Sequence, residues 1–301
     1  MRRVSACSVL LPLFLLVVVT GAAAQSTERT LFVSVLDKDN RPIVGLGMDA
    51  FMVSEDGQAR EVLRASRAVQ PVDVALLVDN SQAITPHVND IRQAASAFTQ
   101  RMAKDGNPIA LIGLADRPTI LQDYITSPDA MDRATKKIFA QPGAGTTVLD
   151  AIIETSRGLQ KRDAARRVIV VLTTEGTDFS NPNYRHALDV LKESGAALYA
   201  VVLTEPGNNV AVNTEEGRNR AIVLADGSDA SGGRLIHVIS SMSFTGTLAS
   251  VAEAIEQQYE IVYSRPGALI PPDKVEVRVN RPGATARGTP AAEPSKPRSG
   301  Q

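Results

Sequence analysis

The sequence predicts an α/β protein in which a doubly wound, mostly parallel sheet follows a small amino-terminal antiparallel β unit. Near-continuous apolar runs predict the central strands, at residues 74–78, 109–112, 168–172 and 198–202. Strands covered on both faces have such runs. Between them, apolar residues recur at helical spacing, as in the set Val88, Ile91, Ala95, Phe98 and Met102. This alternation of strands and helices is typical of a doubly wound sheet.

A different pattern precedes the first apolar run. Residues 31–36 alternate with period two, a turn follows at 37–40, and Ile43 and Val44 are expected to begin a return strand. Further short strands are expected at 51–54 and 62–63. We therefore assign residues 25–70 to the small β unit and 71–265 to the α/β domain. Residues 266–281 form a strand extension, since Val275, Val277 and Val279 alternate with charged residues.

The two ends of the chain have distinct compositions. Residues 1–24 predict a signal peptide, with two arginines, an apolar stretch of about eleven residues and a small-residue cleavage site. A membrane-spanning helix needs roughly twenty, so we expect a secreted or periplasmic protein with no stable membrane span after cleavage. Residues 282–301, rich in Pro, Gly, Ala, Ser and basic residues, predict a disordered tail.

Charge and cysteine content limit the functional classes. The chain has 32 Lys and Arg against 33 Asp and Glu, and this near balance excludes nucleic acid as an expected partner. The one cysteine, Cys7, precedes the apolar stretch and is expected to leave with the signal peptide. The mature chain then has no disulfide and depends on an ordinary apolar core.

Three strand-end loops contain the candidate functional residues. Ligands of open parallel sheets gather where the strands end, because loops and helix amino termini converge there. Loop 1 comprises residues 79–83, loop 2 comprises 143–147, and loop 3 comprises 173–178. A fourth irregular stretch, 205–220, is interpreted as an inserted surface loop. Together, loops 1 to 3 form what we call the strand-end face.

Short motifs in these loops resemble the von Willebrand factor type A family, and more closely its bacterial VWFA-related group. The resemblance spans roughly residues 31–279. It rests on Val78-Asp79-Asn80-Ser81, on 145–152, on Leu172-Thr173-Thr174-Glu175-Gly176, on Ser231-Gly232-Gly233-Arg234 and on Gln258-Tyr259. Their order, and their position at strand ends, implies a von Willebrand factor A-like fold.

The resemblance also implies a metal-ion-dependent adhesion site for Mg²⁺ or Mn²⁺. Asp79, Ser81 and Thr146 match the family's ligand positions. Glu175 stands in place of an aspartate and is longer by one methylene, about 1.5 Å. Ala83 replaces a serine and offers no side-chain oxygen, although Mg²⁺ readily keeps water ligands. We therefore expect a degenerate, weakened site formed by Asp79, Ser81, Thr146 and Glu175; Asp178 is the alternative to Glu175.

A metal-free alternative remains open for the same residues. In it, backbone N–H groups satisfy Asp79 and Glu175, while Ser81 and Thr146 cap the helices that they precede. The functional hypothesis is a protein-interaction module that binds a protein partner at the strand-end face. The alternatives are a metal-dependent hydrolase and a metal-free structural component of an envelope assembly.

No enzyme motif supports a catalytic function. His87, His186 and His237 stand in unrelated sequence settings, which suggest no shared site. The glycine-rich dinucleotide fingerprint is missing after the first strand, and Gly143-Ala144-Gly145 lacks the lysine of a phosphate-binding loop. We therefore expect no catalytic residues.

Overall fold

A six-stranded sheet forms the centre of the molecule. The computed structural model describes residues 26–204, 214–267 and 269–292. The strand order of the central sheet is β10-β9-β8-β5-β6-β7, with only β7 antiparallel to its neighbour. Its strands are β5 (Val72–Val78), β6 (Ile109–Gly113), β7 (Thr119–Ile125), β8 (Arg166–Thr174), β9 (Ala196–Leu203) and β10 (Arg234–Val238). The predicted α/β fold with a mostly parallel sheet is confirmed.

Helices cover both faces of this sheet. They are α1 (Val88–Lys104), α2 (Pro128–Thr135), α3 (Val148–Gln160), α4 (Tyr184–Ser194), α5 (Glu215–Ala230) and α6 (Phe244–Glu256). Alternate residues of β5 point to opposite faces: Leu76 packs with α1, α2 and α6, whereas Leu77 packs with α3, α4 and α5. Both faces are therefore buried, which explains the continuous apolar runs. No helix in the described ranges is long and apolar enough to cross a membrane.

Two antiparallel sheets form the β unit. One has the order β13-β1-β11-β4 and the other the order β12-β2-β3. Their strands are β1 (Ser26–Leu36), β2 (Phe51–Glu55), β3 (Gln58–Arg60), β4 (Val62–Arg67), β11 (Tyr259–Pro266), β12 (Val275–Val279) and β13 (Thr285–Pro290). The return strand expected at Ile43 and Val44 does not form; the chain makes only an isolated bridge between Leu36 and Pro42.

The β unit draws strands from both ends of the chain, which changes the expected boundaries. Residues 259–265, assigned from the sequence to the α/β domain, pair with β1 and β4. The extension strand 275–279 pairs with β2. Both segments are half apolar, and they complete a core around Val33, Phe51 and Tyr259 that the amino-terminal segment cannot close alone.

Two expectations of irregular structure are wrong within the described residues. Part of the predicted disordered tail, Thr285–Pro290, is a strand that pairs with β1. Most of its side chains are small, so the strand is held by its backbone ladder with β1 and by side-chain hydrogen bonds from Arg287 and Thr289. Part of the predicted surface loop is the first turns of helix α5. The predicted signal peptide, residues 205–213 and residues 293–301 lie outside the described residues.

A buried polar junction joins the β unit to the α/β domain. Arg166, at the start of β8, donates to Gln258 Oε1 at 2.9 Å and to the carbonyl of Ile255 at 2.8 Å. Ser34 of β1 accepts a hydrogen bond from Gln258 Nε2 at 3.2 Å and lies 3.5 Å from Tyr199 Oη. Burial lowers the pKa of Arg166 to about 10, so the guanidinium stays charged at neutral pH. The junction lies at the end of the sheet opposite the strand-end face.

Removing strand β13 should destabilise the fold, although sequence composition predicts a dispensable tail. Deleting residues 282–301 removes the six-residue ladder with β1, and at about 0.5 to 1.5 kcal/mol per lost hydrogen bond the free energy of unfolding should fall by about 2 kcal/mol or more. Urea denaturation followed by circular dichroism measures this. Deleting only residues 293–301 is the matched control and should change little. Equal stability of both truncations would contradict the assigned strand.

Candidate functional site

The three strand-end loops meet at one edge of the central sheet. Loop 1 contacts loop 2 through Gln82, whose backbone N–H donates to the carbonyl of Ala144 at 3.0 Å. The residue after loop 3 contacts loop 2, because Phe179 donates its backbone N–H to the carbonyl of Thr146 at 2.8 Å. Thr146 also forms a parallel bridge with Asp178. The structure thus brings together the loops that contain Asp79, Thr146 and Glu175.

Asp79 connects loop 1 to loop 3. Its side chain is fully buried. Oδ1 accepts the backbone N–H of Ser81 at 2.9 Å, and Oδ2 accepts the hydroxyls of Thr173 at 2.9 Å and Thr174 at 3.3 Å. The backbone N–H of Thr174 also donates to Oδ2, at 3.4 Å. Asp79 is therefore held by two backbone donors and two hydroxyls, not by backbone donors alone. Since a carboxylate offers about four lone-pair positions, these four donors occupy its acceptor capacity.

Three of the sequence-predicted site residues present a buried oxygen with no hydrogen-bond partner among the described residues. These atoms are Ser81 Oγ, Thr146 Oγ1 and Glu175 Oε2. Each comes from a different loop of the strand-end face. An unpaired buried polar atom costs roughly 1 to 3 kcal/mol, so three such oxygens at one edge of the sheet make these loops a candidate ligand site.

The capping alternative is wrong for Ser81 and Thr146. Ser81 precedes a short 3-10 helix at Gln82–His87 and makes no side-chain cap. The residue at the amino terminus of α3 is Thr147, which also makes no side-chain cap; its hydroxyl donates to the carbonyl of Leu114 at 2.9 Å. The hydroxyls of Ser81 and Thr146 are therefore not used to stabilise a helix terminus.

Asp178 performs that capping function. Its Oδ2 accepts the backbone N–H of Val148, the first residue of α3, at 2.9 Å. Its Oδ1 accepts the backbone N–H of Ser180 at 2.8 Å. Burial raises the pKa of the Asp178 carboxyl, and hydrogen bonds from Ser180 together with the positive charge of Arg220 oppose that rise. Because both oxygens are engaged, Asp178 fixes loop 3 against α3 and is a poor substitute for Glu175.

Arg220 is a site residue that the sequence analysis missed. It lies in α5 and is 3% exposed. Burial lowers the pKa of its guanidinium, and the charges of Asp178, Asp79 and Glu175 oppose that effect. Thr214 caps α5 by accepting the N–H of Gly217 at 3.0 Å. This threonine, followed by Glu215 and Glu216, was the sequence signal for a helix start.

A mostly apolar pocket opens beside loop 3. Its volume is about 210 Å³, and its walls come from α5, β9 and β10. Glu175, Arg220 and His237 are its polar lining residues. His237 therefore lies closer to the candidate site than its sequence setting indicates, and its Nδ1 lies 2.9 Å from the hydroxyl of Thr204. His87 and His186 contact other elements, at Ser241 and Arg157 respectively.

Exposed apolar side chains lie at the same end of the central sheet as the strand-end face. Phe179, which is 65% exposed, lies across loop 2, where Gly145 leaves room for its ring. Phe139 belongs to a segment that contacts loop 1 through a backbone bond from Gln141 to Asn80. Ile239 and Met242 follow the carboxyl end of β10. We call these four exposed residues the apolar rim; they are Phe139, Phe179, Ile239 and Met242.

The residues present fit a small divalent ion bound by oxygen. Hydroxyl and carboxylate oxygens are the ligand class that Mg²⁺ and Mn²⁺ prefer. No cluster of three or more His, Cys, Asp and Glu that could hold a metal occurs in the described part of the chain, so hydroxyl groups are needed to complete a donor set here. Ala83 is exposed and supplies none.

Replacing Asp178 with alanine should destabilise the protein by about 1 to 3 kcal/mol, because two backbone N–H groups lose their acceptor. Urea denaturation monitored by circular dichroism gives the free energy of unfolding. Asp163→Ala, at an exposed position, is the control and should stay within about 0.5 kcal/mol of the wild type. A loss in Asp178→Ala no larger than the control's would show that the cap contributes little.

Comparison with known proteins gives one family match. Residues 73–216 match the von Willebrand factor type A domain model, while the sequence matches no curated protein at a significant level. Proximal thread matrix protein 1 from the mussel byssus, solved with a zinc-occupied MIDAS motif, is similar at 16% identity and a TM-score of 0.49. That match covers 70% of this chain and 50% of that chain, so this chain spans half the mussel protein's length.

Two bacterial structures are similar as well. The vWF domain of the type V pili tip protein Mfa5 from Porphyromonas gingivalis has 11% identity and a TM-score of 0.49, covering 62% of this chain and 96% of that chain. The conserved hypothetical protein BatB from Bacteroides thetaiotaomicron has 14% identity and a TM-score of 0.46, covering 61% and 98%. Strands β5 to β9 and helices α1 to α4 fall within the family match, and this chain therefore contains a von Willebrand factor type A domain.

Proposed function

We propose that this protein is a secreted or periplasmic interaction module that binds a protein partner at its strand-end face, with a weakened divalent-metal site at the centre of that face. One observation carries the proposal: loops 1, 2 and 3, which meet at one edge of the sheet, each contain one buried oxygen that has no hydrogen-bond partner among the described residues. Domains of this family are protein-interaction modules, which supports a partner of that kind.

In the proposed site Ser81, Thr146 and Glu175 hold the ion, and Asp79 orients loop 1 beside it. The ion, when bound, supplies a positive centre that attracts a carboxylate of the partner. Glu175 provides the charge of the usual aspartate at a longer reach, and the position of Ala83 provides no ligand. Both features favour weak binding, since Mg²⁺ demands near-octahedral geometry at about 2.0 to 2.1 Å.

The apolar rim supports a macromolecular partner over a small ligand. Exposed large apolar side chains grouped on one surface are a feature of protein-binding sites. Phe179 follows Asp178 directly, so the partner contact and the metal site share one loop. A protein that contacts the rim would reach the polar centre at the same time.

The proposed metal site predicts that divalent ions raise the melting temperature. Adding Mg²⁺ or Mn²⁺ in millimolar excess over chelator should raise the melting temperature, because a ligand at 100 times its dissociation constant stabilises by about 2.7 kcal/mol. Ser81→Ala and Thr146→Val should reduce the shift, and Ala83→Ser combined with Glu175→Asp should enlarge it. Calorimetric titration then gives the dissociation constants.

Ser156→Ala is the matched control for these hydroxyl variants. Ser156 also has a buried, unpartnered hydroxyl among the described residues, but it lies within helix α3. Its loss should leave the metal-induced shift unchanged. A shift that survives both Ser81→Ala and Thr146→Val would place the ion elsewhere and refute this ligand set.

The proposed protein partner should bind less tightly when residues of the strand-end face are changed, but not when residues elsewhere are changed. Phe179→Ala should weaken a captured partner at least about tenfold, which is the loss expected for one of the few side chains that dominate an interface, while leaving the metal-induced thermal shift intact. Val69→Ala is the control, since Val69 is equally apolar and 82% exposed but precedes β5 at the opposite end of the sheet. Binding is measured by surface plasmon resonance with the partner isolated from the envelope fraction. Equal loss in both variants would contradict a binding surface at the strand-end face.

A further inference from the structure

We propose that Arg220 is a resident cation of the strand-end site, which partly neutralises Asp79 and Glu175, keeps the metal-free site folded and sets how weakly a divalent ion binds. This inference deepens the proposed function and rests on the proposed divalent-metal site. Arg220 lies outside loops 1, 2 and 3, on helix α5, which contacts loop 3.

Arg220 is docked by hydrogen bonds onto loop 3. Its Nη1 donates to the carbonyl of Gly176 at 3.1 Å. Its Nη2 donates to the hydroxyl of Thr173 at 2.8 Å and to the carbonyl of Thr174. These partners flank Glu175, the residue that stands in the metal-ligand position of loop 3. The guanidinium is thus fixed beside the site and is shielded from solvent, at 3% exposure.

One hydroxyl connects this cation to Asp79. Thr173 Oγ1 accepts from Arg220 Nη2 at 2.8 Å and donates to Asp79 Oδ2 at 2.9 Å. The positive charge of the guanidinium polarises the hydroxyl, which strengthens the bond that Thr173 donates to the carboxylate. Asp79 is fully buried, and a buried carboxylate without a nearby countercharge is costly. Arg220 supplies that countercharge through Thr173.

The same countercharge opposes a metal ion. Screening is weak in a buried site, so like charges a few ångströms apart still repel substantially. Arg220 and a divalent ion would compete for the negative charge of Asp79 and Glu175. A site with its own cation should therefore be stable without metal and bind metal weakly, while a site without it should be less stable and bind metal more tightly.

The test compares Arg220→Gln with Arg220→Lys in the full chain. The glutamine keeps a hydrogen-bond donor and loses the charge, whereas the lysine keeps the charge and loses the planar fork. In chelator, Arg220→Gln should have a lower melting temperature than the wild type. Its dissociation constant for Mn²⁺, measured by isothermal titration calorimetry, should be at least about tenfold lower. Arg220→Lys should bind Mn²⁺ within about threefold of the wild type.

Two further variants separate the charge from general damage to the fold. Arg167→Gln removes another buried arginine, which donates to the carbonyls of Ser194 and Arg162 at the opposite end of β8; it should lower the melting temperature without tightening Mn²⁺. Thr173→Val keeps Arg220 and removes the connecting hydroxyl. Thr173→Val should lower the dissociation constant for Mn²⁺, by a smaller factor than Arg220→Gln does. If Arg220→Gln fails to fold, Thr173→Val still tests the role of Arg220.

The outcomes distinguish the proposed role of Arg220 from the proposal that the site binds a metal ion. An Mn²⁺ affinity that is unchanged or weaker in both Arg220→Gln and Thr173→Val would overturn the role of Arg220 while leaving the metal site in place. Mn²⁺ binding that appears only in Arg220→Gln would support the role of Arg220 and refute metal binding by the wild type. No binding in any variant, including Ala83→Ser with Glu175→Asp, would overturn both.

Discussion

The strand-end face depends on a single buried carboxylate. Asp79 is fully buried at the carboxyl end of β5, and its hydrogen bonds reach Ser81 in loop 1 and the threonines at the end of β8. A buried carboxylate must be satisfied locally, so the position of Asp79 fixes how loop 1 and loop 3 lie relative to each other. Loop 2 then joins through Gln82 and Thr146. The polar centre, the apolar rim and the pocket beside α5 are all arranged around this group.

Much of the α/β core could be predicted from local pattern. Strands β5, β6, β8 and β9 are buried on both faces, and that burial requires the apolar runs that identified them. Parallel strands end at one edge, so the meeting of loops 1, 2 and 3 followed from topology alone. The β unit was harder, because its last strands come from beyond residue 258, whereas their partners β1, β2 and β4 all precede residue 68.

Arg220 shows why the site was only partly predictable. A basic residue after a run of Gly, Asn and Glu is typical of a surface loop, and only its spacing to Val223 and Leu224 on one helical face indicated burial. Its partners are mostly backbone carbonyls of loop 3, which every sequence has and no motif marks. Asp178 was misjudged for a related reason: its carboxylate is used by the backbone of α3, and that demand is visible only in three dimensions.

The pairing of β13 with β1 affects how the domain would respond to mechanical load. The strands are antiparallel, with Leu31 opposite Pro290 and Leu36 opposite Thr285. The amino-terminal end of β1 and the carboxyl-terminal end of β13 therefore lie at the same end of this strand pair. There, the backbone N–H of Ala292 also donates to the carbonyl of Ala165. Tension applied between those two ends would break the hydrogen bonds between β1 and β13 one after another. The strand-end face lies at the far edge of the central sheet and would keep its shape while this strand peels away.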